Sequence, residues 1–139
     1  MTFRKAVFRH VLVTASLLSL IANIATAAET RIEGVLSDGG KASIIFADHP
    51  IKAMTETPFK IELHNLNGES ITAASLKLDL TMPFMPMPPN HPEAVWSGED
   101  YRGTAIFTMA GAWQVNVDIV RSGSATEKIV FDIEMVVMQ

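Results

Sequence analysis

After residue 40 the chain alternates apolar and polar residues with a period of two, and no stretch longer than a turn or two carries helical spacing. Successive side chains of an extended strand point to opposite faces, so this pattern gives strands with one dry and one wet face. Pro58 to Asn65 sets Phe59, Ile61 and Leu63 against Lys60, Glu62 and His64. Ser75 to Met82 sets Leu76, Leu78 and Leu80 against Lys77 and Asp79, and Ala112 to Arg121 sets Trp113, Val115, Val117 and Ile119 against Gln114, Asn116 and Asp118. Ala42 to Phe46 makes a shorter first strand that ends at Asp48-His49-Pro50, and Glu127 to Met138 makes the last, with Ile129, Phe131, Ile133 and Met135 facing inward. Tyr101 to Met109 reads as the partner of Ala112 to Arg121 in a hairpin turned at Ala110-Gly111, while Glu29 to Gly40 offers only a turn at Asp38-Gly39-Gly40. Six or seven short strands in about 110 residues predict an all-β fold, an immunoglobulin-like β-sandwich of about seven antiparallel strands. Trp113 is its expected core anchor.

The alternation has a different kind of segment in front of it. Arg4, Lys5 and Arg9 precede an apolar run from Val11 to Ile24, and Ala25-Thr26-Ala27 follows. That is the three-part layout of a secretory signal, with cleavage expected after Ala27 and residues 28–139 left as one domain. The alternative is an uncleaved membrane anchor, because the run is only slightly shorter than the ~20 residues a spanning helix needs. Thr14, Ser16, Ser19 and Asn23 dilute the run and favour cleavage, which implies a periplasmic domain with no membrane insertion of its own. Losing residues 1–27 removes three of the 11 basic residues and none of the 15 acidic ones, moving the formal charge from −4 to −7. An acidic domain without a Lys/Arg cluster is a poor partner for nucleic acid, whose phosphates demand concentrated positive charge. Cysteine is absent, so the exported domain must hold together by its core alone.

Between the third strand and the Tyr101 segment the chain reads Met82-Pro-Phe-Met-Pro-Met-Pro-Pro-Asn-His-Pro92, with five of the seven prolines. Each proline fixes φ and removes a backbone donor, so this stretch cannot be an ordinary helix or a central strand. It carries three thioethers and an imidazole. Thioether sulfur is soft and uncharged and selects copper(I) over zinc, magnesium or calcium, and imidazole can complete such a site. A blue-copper electron carrier is excluded, since it needs a thiolate. As a polyproline II run the segment would put Met82, Met85 and His91 along one edge, successive turns being ~9 Å apart, with Met87 off it. A three- or four-ligand site therefore needs the loop to bend, or Met109 to approach from the neighbouring segment, or a partner to complete it. The same residues can equally plug one end of the sandwich, since methionine fills irregular apolar gaps, or form an adaptable docking surface for an envelope or membrane protein. Trp96 is placed to cover the loop, and His49 and His64 have no second ligand near them in sequence.

Signatures of catalysis are missing: there is no Gly-x-Ser-x-Gly, no glycine-rich phosphate loop, no His-Glu-x-x-His and no cysteine nucleophile. The acidic residues fall mainly on outward strand positions. A non-enzymatic domain is expected.

Leu80-Thr-Met-Pro-Phe-Met-Pro-Met-Pro-Pro-Asn-His-Pro92, then Tyr101-Arg-Gly, then Phe107-Thr-Met-Ala-Gly-Ala-Trp-Gln-Val-Asn-Val117, together resemble the YtkA-like domain family, which is close to the periplasmic part of FixH-type proteins. The likeness covers about residues 40 to 138. It implies an immunoglobulin-like sandwich outside the cytoplasmic membrane, with a role in copper handling or in assembly of haem-copper oxidases. It also implies a ligand set of Met82, Met85, Met87 and His91, with Met109 as a further member. FixH-type members keep an N-terminal membrane helix, whereas the apolar run here ends in a cleavable site, which favours a freely soluble domain.

Overall fold

A computed structural model describes residues 28–139, so the expected leader lies outside the described residues. Eight strands form: β1 Thr30–Val35, β2 Lys41–Phe46, β3 Glu56–His64, β4 Ala74–Thr81, β5 Glu93–Trp96, β6 Tyr101–Ile106, β7 Gly111–Arg121 and β8 Glu127–Val136. Hydrogen-bonded neighbours run in the order β1-β2-β3-β6-β5-β4-β7-β8, and every ladder between them is antiparallel. The fold is thus the expected all-β sandwich. It has two strands that the alternation did not predict, β1 and β5.

Strand β5 is where the two layers join. Its first half pairs with β4, Glu93 and Ala94 opposite Lys77 and Leu76, and its second half with β6, Val95 and Trp96 opposite Arg102 and Tyr101. A strand that changes partners midway turns the corner between packed sheets. Close packing there depends on Gly103 of β6: a β-carbon at that position would collide with the Glu93 carbonyl and come within 2.6 Å of the Phe59 ring.

Between the layers lie Phe46, Phe107, Trp113 and Phe131, all fully buried, with Ile44, Ile61, Leu80, Val115 and Ile119 around them. Phe107 meets Phe46 and Trp113 edge-on, with ring centroids 5.7 and 5.4 Å apart, a geometry that suits the aromatic quadrupole. Full burial of one such large apolar side chain contributes about 1.5–3 kcal/mol. Trp113 is the anchor expected of it, and its indole N–H donates to the Met109 carbonyl at 2.9 Å. Trp96 does not cover the proline-rich loop; it packs at a tilt of 60° against Tyr101, centroids 5.0 Å apart, at the opposite end of β5.

Two further expectations change with the pairing. The segments β6 and β7 are not a hairpin: β6 pairs with β3 and β5, whereas β7 pairs with β4 and β8, so Phe107 to Ala110 crosses from one layer to the other. In β8 an extra residue is inserted between the pairs Trp113–Ile133 and Gly111–Val136. One added residue reverses the facing of everything beyond it, which is why Val136 is buried and Met135 is exposed.

Because all the ladders are antiparallel, β1, β3, β5 and β7 begin at the same end of the sandwich at which β2, β4, β6 and β8 finish. Met54 in the β2–β3 connection, Met82, Met85 and Met87 after β4, Met109 before β7, Met135 near the end of β8 and Met138 beyond it all lie there. These are all seven methionines of the described residues. The four connections at the far end carry none.

Candidate metal centre at the methionine end

The proline-rich segment bends sharply instead of running on as one extended helix. Met82 and Met85 form an isolated antiparallel bridge, with the Met85 N–H donating to the Met82 carbonyl at 3.4 Å, so Pro83 and Phe84 sit at the tip of a tight turn. Pro83 suits the second position of such a turn because its φ is already set. The loop is then closed at its base: the Leu80 N–H donates to the Asn90 carbonyl at 2.9 Å, and the Asn90 side-chain amide donates to the Ile106 carbonyl at 2.9 Å.

Parity along β4 sorts the candidate ligands. Leu76, Leu78 and Leu80 face the core, and Met82 continues that inward register, half-buried and packed against the core. A β-carbon on Gly111, whose φ of +126 already favours glycine, would stand 2.9 Å from the Met82 methyl group. The Met82 methyl group therefore reaches Gly111, two residues from Met109, while its backbone is bridged to Met85. Met85 and Met109 are 46% and 42% exposed. Met87 is half-buried against the core. Beside them Phe84 is 93% exposed, which is unusual for so large an apolar side chain.

His91 stands apart. Its Nδ1 lies 3.0 Å from the Leu78 carbonyl and 3.5 Å from Asp79 Oδ1, an outward carboxylate. A carbonyl can only accept, so Nδ1 carries the hydrogen and, in the neutral ring, Nε2 keeps its lone pair. The ring lines a groove of about 1010 Å³ together with Asp79, Asn116, Asp118 and Lys128, and no methionine lines that groove. Leu78 is four residues before Met82, about 13 Å along an extended strand. The structure thus brings the Met82 methyl to the turn after Met109, bridges the Met82 and Met85 backbones, packs Met87 half-buried against the core, and sets His91 in a groove that no methionine lines.

The donors at this end fit a soft ion. Three uncharged thioethers offer the chemistry copper(I) prefers, without the charge that zinc or calcium needs. Among the described residues no group of three or more histidine, aspartate or glutamate side chains is placed to hold a metal ion. Met54 shares the end but has no donor near it in sequence to mark it, and Met138, which the sequence places in the last strand as a core or edge residue, lies beyond β8 and is exposed. Only the closing of the strand order brings them close. The remaining ionic detail is structural: the Arg102 guanidinium donates to Asp100 at 2.6 Å and holds that buried carboxyl below the usual carboxylate range. Among the described residues no helix is long and apolar enough to cross a membrane.

No curated protein matches the sequence. Among solved structures, that of FetP from uropathogenic E. coli strain F11, studied as isolated after recombinant expression in the periplasm of E. coli BL21(DE3), superposes with a TM-score of 0.53. The two are 12% identical, and the match spans 78% of this chain and 97% of FetP, a likeness of fold. A family model described as YtkA-like matches residues 35–118, from the end of β1 into β7 and including the whole methionine loop. With more than half of its length matched, the chain belongs to the YtkA-like family.

Proposed function

We propose that this protein is an exported, non-enzymatic β-sandwich that binds copper(I) at its methionine end and holds it for delivery in the periplasm. The observation that supports the reading is the Met82 side chain reaching the turn beside Met109 while its backbone bridges Met85, with Met85 and Met109 both exposed. Soft donors on a cysteine-free domain suit copper(I), and the signal-like leader supplies the compartment. FetP, the similarly folded protein, was expressed in the periplasm, which agrees with that location. His91 is left out of the ligand set and Met87 is given a packing role.

Titration of the exported protein with copper(I) against a competing chelator tests this. Replacing Met82, Met85 and Met109 together by leucine, which keeps volume and costs little in packing, should weaken binding at least tenfold, whereas His91→Gln should change it less than about twofold. Wild-type binding no tighter than that of the triple variant would overturn the reading.

Phe84 favours a second reading, in which the end docks without metal on an envelope or membrane protein. A 93% exposed phenylalanine between Pro83 and Met85 does nothing for the fold and is the sort of apolar anchor an interface uses. On that reading Phe84→Ser, and not the leucine set, releases the protein from its partner.

A further inference from the structure

Met54 has a backbone φ of 58, the left-handed region that residues other than glycine enter at a cost. Its side chain is 67% exposed, so little packing offsets that strain. Glycine would suit the position better, and the methionine therefore calls for a use. Its N–H donates to the Phe107 carbonyl at 2.7 Å, which fixes it beside the connection that carries Met109 two residues on. Next to it the C-terminus is tied down: Ala53 N–H donates to the Val137 carbonyl at 2.8 Å, Val137 N–H donates to the Ile51 carbonyl at 2.9 Å, and Lys52 bridges Val137 in parallel. Met138 follows at once and is 69% exposed, and the Gln139 amide is bonded to the Thr55 hydroxyl beyond it. The parallel bridge sets Val137 opposite Lys52, so Met138 falls beside Ala53 and next to Met54, where paired backbones lie about 4.8 Å apart and two flexible thioether chains can meet.

We propose that Met54 and Met138 form a second binding position for a soft monovalent ion such as copper(I), beside Met109 and apart from the Met82–Met85 pair. The inference extends the copper(I) reading of this end and shares its ion, but rests on different residues. At an exposed position the distinctive chemistry of methionine is its soft sulfur, and here the backbone of Met54 and the residues on either side of Met138 are tied down by hydrogen bonds.

The test uses the full chain, exported and purified, with its methionine methyl groups labelled with carbon-13 and titrated with silver(I) as an air-stable soft-ion probe, then anaerobically with copper(I). Resonances are assigned by single Met→Leu variants, and Met135, on the outer face of β8, is the internal reference. Shifts of both Met54 and Met138 methyls, lost as about one equivalent of bound ion in the double variant Met54→Leu, Met138→Leu while the Met82 and Met85 shifts persist, support the proposal. Met82 and Met85 shifting while Met54 and Met138 stay still overturns it and leaves the loop reading standing. Met54 and Met138 shifting alone supports it and overturns the loop reading. No methyl shifting overturns both. Met54→Gly gives an independent control: it removes the thioether while relieving the backbone, so loss of ion in a variant that melts no lower than wild type excludes unfolding as the cause.

Discussion

Tyr101 ties two parts of the chain through one oxygen. Its hydroxyl donates to the Ile71 carbonyl at 2.7 Å and accepts from the Ala74 N–H at 3.2 Å, pinning the β3–β4 connection to the first residue of β6. Tyr101→Phe leaves both backbone groups without that partner and should cost about 1–3 kcal/mol, read from urea unfolding midpoints. Burial pushes the phenol above its ordinary value, so it stays protonated through the neutral range. Two residues of the neighbouring turn set the response to acid. Arg102 above all, opposed by burial and helped by the Ser97 hydroxyl, lowers the Asp100 carboxyl. A carboxyl lowered on folding stabilises the protein above its unfolded value near 4, and that contribution disappears as pH falls through the folded value. Asp100→Asn should therefore flatten the loss of stability below about pH 4, measured as urea midpoints across that range. Met54→Gly should raise stability by up to about 1 kcal/mol, because glycine enters the left-handed region freely.

At the scale of elements, β5 is the vulnerable one. Gly103→Ala places a methyl group against the Glu93 carbonyl and the Phe59 ring, so β5 must move off β6. The expected loss is roughly 1–3 kcal/mol, the cost of overpacking, with faster amide exchange confined to β5 and its two neighbours. The long strands β3, β4 and β7 were plain in the sequence because each buries one face along its whole length. The four-residue β5 was not, since its length is divided between two partners and its pattern never completes a face. Ala110-Gly111 is good turn chemistry, and it says that the chain reverses without saying which strand it meets next. Hence β6 and β7 read as a hairpin when they belong to different layers. The facing of Met135 was misread for a similar reason, because the inserted residue in β8 has no composition to announce it. The proline pattern marked Met82 to Pro92 as irregular, and the segment indeed lies between β4 and β5 with a tight turn in it. Placing His91 required its bond to the Leu78 carbonyl, a contact thirteen residues back along the chain.

For the molecule as a whole, the segregation of methionine is the informative distribution. Five methionines at this end are exposed and two are half-buried, and none of the seven belongs to the fully buried core. Dilute peroxide should accordingly convert Met54, Met85, Met109, Met135 and Met138 to sulfoxides well before Met82 and Met87, resolved by peptide mass spectrometry. On the copper(I) reading, a bound ion slows oxidation at Met85 and Met109 and leaves Met135 unprotected.

The strand polarity that gathers the methionines also decides where the chain enters. Thr30 opens β1 at the methionine end, and five residues separate it from Ile24, the last of the apolar run. Even fully extended, the six steps from Ile24 to Thr30 span no more than about 22 Å. A retained leader would therefore hold the thioethers within reach of the bilayer surface, addressed to membrane-embedded donors or acceptors, and signal cleavage would turn the same domain into a diffusing carrier. On the copper(I) reading, proteolytic processing would then choose the address of one unchanged set of sulfurs.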